Sequence, residues 1–411
     1  MAETASPASV SYRVSVADPV GPGELHYIRD AVVRVAGEQI TDLVPIERYR
    51  GDDDLVELDG ILTPGLVDVH CHWVQHHVRG QFRSDLLDWL QNHIWPEERA
   101  LGCHETAVAH ARRFFADTVT AGTTLGMAYS SAHTAALQPA FEAAIGDWLI
   151  GNVIMPTGGP DELCRASVAT SDEVAALIER YGISHYPITP RFALNCDTGL
   201  LDELGRLAQA YGAWVQTHLA ESAREIEAVA EAFPQAQDYT DVYDRAGLLT
   251  PRSVLGHCIH LSEREYRCLA RRGSWIAHCP SSNEALDSGR MDLAAVRRHG
   301  IPFALGSDVA AGPSHSMLHV MQRFLHQHRI AGEAVTATEA LYRATAAGAQ
   351  CLGRGGRAGR LAPGHRADFV LMPGPAPADT AEAWLNELVS GTAAELETRP
   401  QGTWIGGKRR V

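Results

Sequence analysis

Residues 63–80, TPGLVDVHCHWVQHHVRG, set the reading of the chain. The apolar run Gly65-Leu66-Val67-Asp68-Val69 reads as a short buried strand that delivers His70 and His72 two residues apart. Side chains alternate along a strand, so positions i and i+2 face the same way and both imidazoles can reach one metal ion. Two ligands do not complete a site. A third nitrogen, a carboxylate, an acid/base group and a pocket must come from elsewhere.

Before this stretch, short strand-like runs at Val10–Val14, Ala31–Val35 and Leu55–Leu58 are broken by Gly, Pro and Asp, which is the pattern of a small β unit. After it, candidate strands alternate with helical segments long enough to cross over a parallel sheet. Following the strand that ends at His72, strands are expected at Thr123–Tyr129, Trp148–Met155, His185–Leu194, Ala213–His218, Ser253–His257, Ser274–Cys279 and Pro302–Leu305. Helices are expected over Asp85–Asn92, His104–Ala121, Thr134–Ile145, from Thr170 to Gly182, over Leu200–Ala210, from Ser222, and from Ser262 to Arg272. Thr170/Glu173 and Ser262/Glu265 have capping-box spacing. The tail returns to β patterning at Asp368–Met372 and in a terminal hairpin at Thr403–Lys408. Eight strand-helix units predict an α/β fold: a (β/α)8 TIM barrel over 64–363, with a small β-sandwich domain built from 1–63 and 364–411.

A chain of 411 residues would ordinarily hold two or three units at about 150 residues each, but a barrel alone takes about 250. The net charge of −15 leaves no electrostatic footprint for nucleic acid or an anionic membrane. No basic-then-apolar leader and no long apolar stretch is present, so a soluble cytoplasmic protein is expected. The eight cysteines form no CxxC pair and read as reduced thiols rather than disulfides or zinc ligands. Basic residues are almost all arginine, Lys408 being the single lysine.

Barrel enzymes carry their chemistry at the C-terminal ends of the strands. There the pattern places His70 and His72, Arg191, His218 with Glu221, His257, His278 and Asp308. One His-x-His among 20 histidines says little, but joint placement at strand ends requires many accidents to coincide. Three imidazoles and a carboxylate with one open position suit Zn2+, and Fe2+ accepts similar ligands. Such an ion lowers the pKa of bound water to about 7. Glu221, three residues past His218, is placed with Asp308 to take the water proton, and Glu221 to pass it on, so both are expected to be catalytic.

These segments resemble the amidohydrolase superfamily and, within it, the guanine deaminases. The resemblance runs through PGLVDVHCHWVQ (64–75), LLDWL (86–90), ITPRFALNC (188–196), THLAES (217–222), GHCIHLS (256–262), AHCPSSN (277–283), LGSDVAAGPSHSML (305–318) and GRLAPGHRADFVL (359–371). It implies that His70, His72, His218 and Asp308 are the metal ligands, Glu221 the proton shuttle, and His257 the histidine that orients or polarises the attacking water. It also implies that Gln75, Arg191 and Phe192 hold a purine, together with Glu221. Two-metal relatives bridge their ions with a carboxylated lysine from strand four, and this strand has none, so one ion per chain is expected. The resemblance further implies a homodimer that turns a small heterocyclic substrate, guanine, into xanthine and ammonia. Trp73, His76, His77, Asn195-Cys196-Asp197, Ala311, Pro313 and His315 depart from the family pattern. They keep open a sister enzyme acting on 8-oxoguanine, a pterin, a deazapurine or a triazine. A catalytically silent scaffold is a remoter alternative, since no metal ligand is missing.

Overall fold

A computed structural model describes residues 9–52, 54–81, 90–374 and 380–411. Its first strands are β1 (Ser9–Gly21), β2 (Glu24–Ala36), β3 (Gln39–Pro45) and β4 (Leu55–Pro64). The next is β5 (Leu66–His72), in which all seven residues are buried, as in a strand covered on both faces. It is followed by β6 (Thr123–Ser130), β7 (Asp147–Asn152), β8 (Val215–Leu219), β9 (Ser253–His257), β10 (Trp275–His278) and β11 (Phe303–Leu305). The tail supplies β12 (Phe369–Met372), β13 (Gly402–Ile405) and β14 (Lys408–Arg409), so the terminal hairpin and Lys408 lie far from the barrel strands in sequence.

The fold is a (β/α)8 barrel with a β-sandwich domain to which both chain ends contribute. In that domain the strands are joined in the order β14-β13-β12-β4-β1-β2-β3. Its core holds Tyr12, Val14, Val33, Ile40, Leu62, Phe369 and Trp404. Phe369 stacks on Trp404 at 5.4 Å, and Tyr12 meets the two rings edge-on at 5.9 and 6.1 Å.

The barrel strands form two parallel runs, β5-β6-β7 and β8-β9-β10-β11. The expected fourth strand, His185–Leu194, differs: it makes only the isolated bridges Ile154 to Pro190 and Ile188 to Val215. Pro187 and Pro190 have no N–H to donate, so a regular ladder cannot propagate here. The segment still fills the strand position. Ile150 and Ile154 N–H donate to His185 and Thr189, while Ile188 N–H donates to Trp214 and Gln216 N–H returns to Ile188. On the other side the barrel closes where Asp308 N–H donates to His70 C=O at 2.8 Å and His72 N–H to Val309 C=O at 2.8 Å.

Helices cover the strands with the expected local signals. Capping boxes open Ser171–Tyr181, at Thr170/Glu173, and Glu263–Arg272, at Ser262/Glu265. The expected Thr134–Ile145 helix is a 3-10 turn followed by Leu137–Ala143. The expected Asp85–Asn92 helix and the LLDWL segment fall largely on 82–89, outside the described residues, as does most of PGPAPAD at 373–379, a Pro/Ala run in the sequence. Among the described residues no helix is long and apolar enough to cross a membrane.

Phe369→Ala removes a fully buried ring from the aromatic trio. The expected loss of stability is about 3–5 kcal/mol, measured by denaturant unfolding, with metal content per folded chain unchanged.

Candidate metal centre and active site

Alternation along β5 aims His70 and His72 at one point while Cys71 between them faces the core. Three other strand ends each add one group: β8 brings His218, β9 brings His257, and the turn after β11 brings Asp308. Ligand atoms of His70, His72, His218 and Asp308 all lie within 4.8 Å of one another. The Nε2 atoms of His70 and His72 are each 3.3 Å from Asp308 Oδ1, and His218 Nε2 is 3.3 Å from His72 Nε2.

The four donors fit a divalent ion. His70 Nε2 is buried without a hydrogen-bond partner, because its approach to Asp308 is close but poorly aligned. His218 Nε2 faces His72 Nε2 at 3.3 Å, and the two can bond each other only where one of them carries a ring proton. His218 donates Nδ1–H to the Arg191 carbonyl at 2.6 Å, which leaves Nε2 as a lone pair aimed at the cluster. Burial pushes His70 down to about 4 and holds His218 well below its ordinary value, so both stay neutral. Burial opposes charge on Asp308, but His70 and His72 carry it well below the usual carboxylate range. Neutral imidazoles with an ionised carboxylate are the donor set a cation requires.

The backbone is shaped for these side chains. His257 and Asp308 adopt φ of 68° and 48°, a left-handed conformation that non-glycine residues rarely hold outside functional sites. A Cβ on Gly256 would lie 2.7 Å from His70 Cε1, and one on Gly306 would lie 2.7 Å from His70 Cβ, so both positions must be glycine for the ring to fit. Asp68 ties the two ligand-bearing segments. Its Oδ1 accepts from His70 N–H at 3.2 Å and Ser307 N–H at 2.9 Å, and its Oδ2 accepts from Ser307 Oγ–H at 2.5 Å. Burial pushes this carboxyl up to about 7 despite those bonds.

Beside the cluster, His257 Nε2 lies 3.6 Å from Glu221 Oε2 and 3.8 Å from Asp308 Oδ2. Its Nδ1 meets Asn283 Oδ1 at 2.9 Å, which fixes the proton on Nδ1. Burial works against charge on His257, but Glu221 and Asp308 outweigh it and raise its pKa. Glu221 accepts from Ser288 Oγ–H at 3.2 Å, and its own N–H donates to Glu225 Oε2 at 2.9 Å. Burial, with the Glu221 charge, pushes Glu225 up to about 7.

Gln75 and Arg191 meet on a residue that sequence reasoning missed. Glu98 is wholly buried, accepts from Gln75 Nε2–H at 2.7 Å, and takes Arg191 Nη1–H at 2.8 Å on both oxygens. Among the described residues no protein acceptor takes Arg191 Nε or Nη2. Phe192 follows, half-buried, at the start of the turn Ala193–Asn195. His278 is the exception among the strand-end groups. Strand alternation turns it to the helix layer, where Nε2 lies 3.0 Å from His328 Nε2 and the ring meets Phe303 and Phe324.

The sequence profile described as Amidohydrolase family matches residues 61–409. The chain belongs to the amidohydrolase family. A probable guanine deaminase of Deinococcus radiodurans is 37% identical, over 85% of this chain and 83% of its own. The solved guanine deaminase of E. coli superposes with a TM-score of 0.89 at 27% identity, covering 98% of this chain and 99% of that one. The guanine deaminase of C. acetobutylicum, solved with guanine bound in its active site, superposes with a TM-score of 0.87 at 26% identity, over 98% and 100% of the two chains. The chain is thus a metal-dependent hydrolase, and the four-donor cluster is a group in it that could hold the ion.

Gly256→Ala drives a methyl group into the His70 ring. Metal affinity is expected to fall on the order of tenfold, the scale of losing a contact that orients a ligand, measured by chelator competition on folded protein.

Proposed function

We propose that the protein is a zinc-dependent aminohydrolase that converts guanine and water to xanthine and ammonia. The observation that carries this reading is the convergence of Gln75 and Arg191 on Glu98, in a chain whose relatives are guanine deaminases. His70, His72, His218 and Asp308 are assigned as ligands, and three nitrogens with one carboxylate suit zinc. An ion so held supplies a water that is acidic near neutral pH, and stabilises charge where it develops.

The protein side chains do the rest. Arg191, with Nη1 anchored on Glu98, presents Nε and Nη2 to the carbonyl edge of the ring, a match for its planar fork of donors. Gln75 and Phe192 complete the cradle. Glu221 accepts a proton from water and delivers it to the ring nitrogen beside C2. After water has added to C2, a second proton transfer lets ammonia leave. Asn283 holds His257 with Nε2 toward Glu221 and Asp308, and in the protonated ring that those carboxylates favour, the Nε2–H steadies charge on the attacking oxygen.

The sister-ring reading rests on departures from the family pattern, and three of those side chains are engaged elsewhere. Trp73 is fully buried in the hydrophobic core. His76 contacts Asp117 at 2.8 Å and His315 contacts Glu397 at 3.4 Å. A cytoplasmic setting is consistent with eight free cysteines. We assign 1–63 with 364–411 to the β-sandwich domain and 64–363 to the barrel.

Ammonia release from guanine is expected to exceed that from 8-oxoguanine, pterin, a deazapurine or a triazine. Faster turnover of another ring would overturn the substrate while sparing the metal site. Glu221→Gln is expected to keep its zinc and lose about 10²–10⁴-fold in kcat; near-normal ammonia release would refute the shuttle. Glu98→Gln, measured by steady-state kinetics, is expected to raise KM for guanine with metal content retained.

A further inference from the structure

A second group of metal-ligating side chains lies outside the catalytic cluster. His77 comes from the 3-10 stretch Trp73–Val78, Glu97 from the helix Trp95–Ala100, and His110 from the helix His104–Thr120. One donor atom from each lies within 4.8 Å of the others. His110 Nδ1 is 3.2 Å and His77 Nδ1 is 3.8 Å from Glu97 Oε1. Donors about 2.0 Å from an ion at the tetrahedral angle stand ~3.3 Å apart, and the two measured separations bracket that value.

These atoms do not satisfy one another. Glu97 Oε1 and His110 Nδ1 are buried with no hydrogen-bond partner, although they lie at hydrogen-bonding distance, because the N–H direction is wrong for a bond. Buried polar atoms are seldom left unpaired, and a shared cation satisfies both at once. The His77 and His110 rings stack at 3.7 Å, an approach that two imidazolium ions would resist, and holding one ion between them requires the rings to turn until their in-plane lone pairs converge. Burial supports the neutral forms by pushing His77 down to about 4 and lowering His110. The nearby guanidinium groups are committed elsewhere: Arg113 approaches Asp117, and Arg79 approaches Glu397 and His76.

We infer that His77, Glu97 and His110 form a second divalent-cation site, of the two-histidine, one-carboxylate type that takes zinc or a similar transition ion. The His77 side chain is 29% exposed, which leaves an open side for water as a fourth ligand. The site has a structural consequence. Glu97 adjoins Glu98, and His77 is two residues from Gln75, so an ion here pins the two elements whose inner faces meet at the Glu98–Gln75 hydrogen bond.

The test counts zinc. Wild-type chain, His77→Ala, His110→Ala and the double variant His70→Ala/His72→Ala are equilibrated with low-micromolar Zn2+, gel-filtered and analysed by mass spectrometry for metal. Wild type is expected to retain two equivalents, and each of the three variants one. Added Zn2+ is further expected to raise the melting temperature of the His70→Ala/His72→Ala variant but not when His77→Ala is combined with it. His77 is partly exposed and can be replaced without disturbing the core, so His77→Ala decides the matter if His110→Ala fails to fold. One equivalent in wild type, or two in folded His77→Ala, would overturn the site. Neither result bears on guanine turnover.

Discussion

The structure depends on the seam where the barrel closes. The first barrel strand and the turn after the last meet through Asp308 N–H to His70 C=O and His72 N–H to Val309 C=O. Asp68 clamps the same junction by accepting from both His70 and Ser307. These bonds do two things at once. They complete a cyclic sheet with no free edge there, and they bring His70, His72 and Asp308 to one place. The candidate metal cluster is therefore a product of closure, and disturbing the seam disturbs its donors and the fold together. The left-handed backbone at Asp308 is local strain that the clamp holds in place.

Around this point each charge has a defined counterpart. Neutral His70 and His218 face ionised Asp308, while His257 is drawn toward the charged form by Glu221 and Asp308. Glu225 does double duty: it accepts from Glu221 N–H and closes the capping box with Ser222 at the start of Ala223–Ala232. Glu221, the proposed proton shuttle, is thus fixed to a helix end rather than left on a loose loop. Glu98 does the same for the proposed purine cradle, with one buried carboxylate setting the position of both Gln75 and Arg191.

Much of this was legible in the sequence because strand ends in a barrel carry a simple code. An apolar run terminating in His or Asp locates a group at the mouth without knowledge of distant contacts, as at His72, His218, His257 and Asp308. The code fails in two ways. It cannot tell on which side of the wall a terminal residue points, so His278 reads like His257 yet faces the helices. It also needs a ladder, and the prolines at 187 and 190, a signal against a regular strand that the apolar pattern outweighed, leave strand four as isolated bridges. Glu98 was invisible for another reason. In Trp95-Pro96-Glu97-Glu98 the proline signals a helix start, but adjacent glutamates on a short helix look alike until packing buries one of them. Glu225 did leave a trace, since Ser222-x-x-Glu225 is a capping box that could have been read.

The most direct measurement is an anomalous difference map, collected at the zinc edge from crystals of the zinc-loaded protein with the product xanthine. The structure predicts a peak bounded by His70, His72, His218 and Asp308, with the xanthine ring within reach of Gln75 and Arg191. No peak at that position, or xanthine seated away from Arg191, would contradict the link between barrel closure, metal binding and purine recognition.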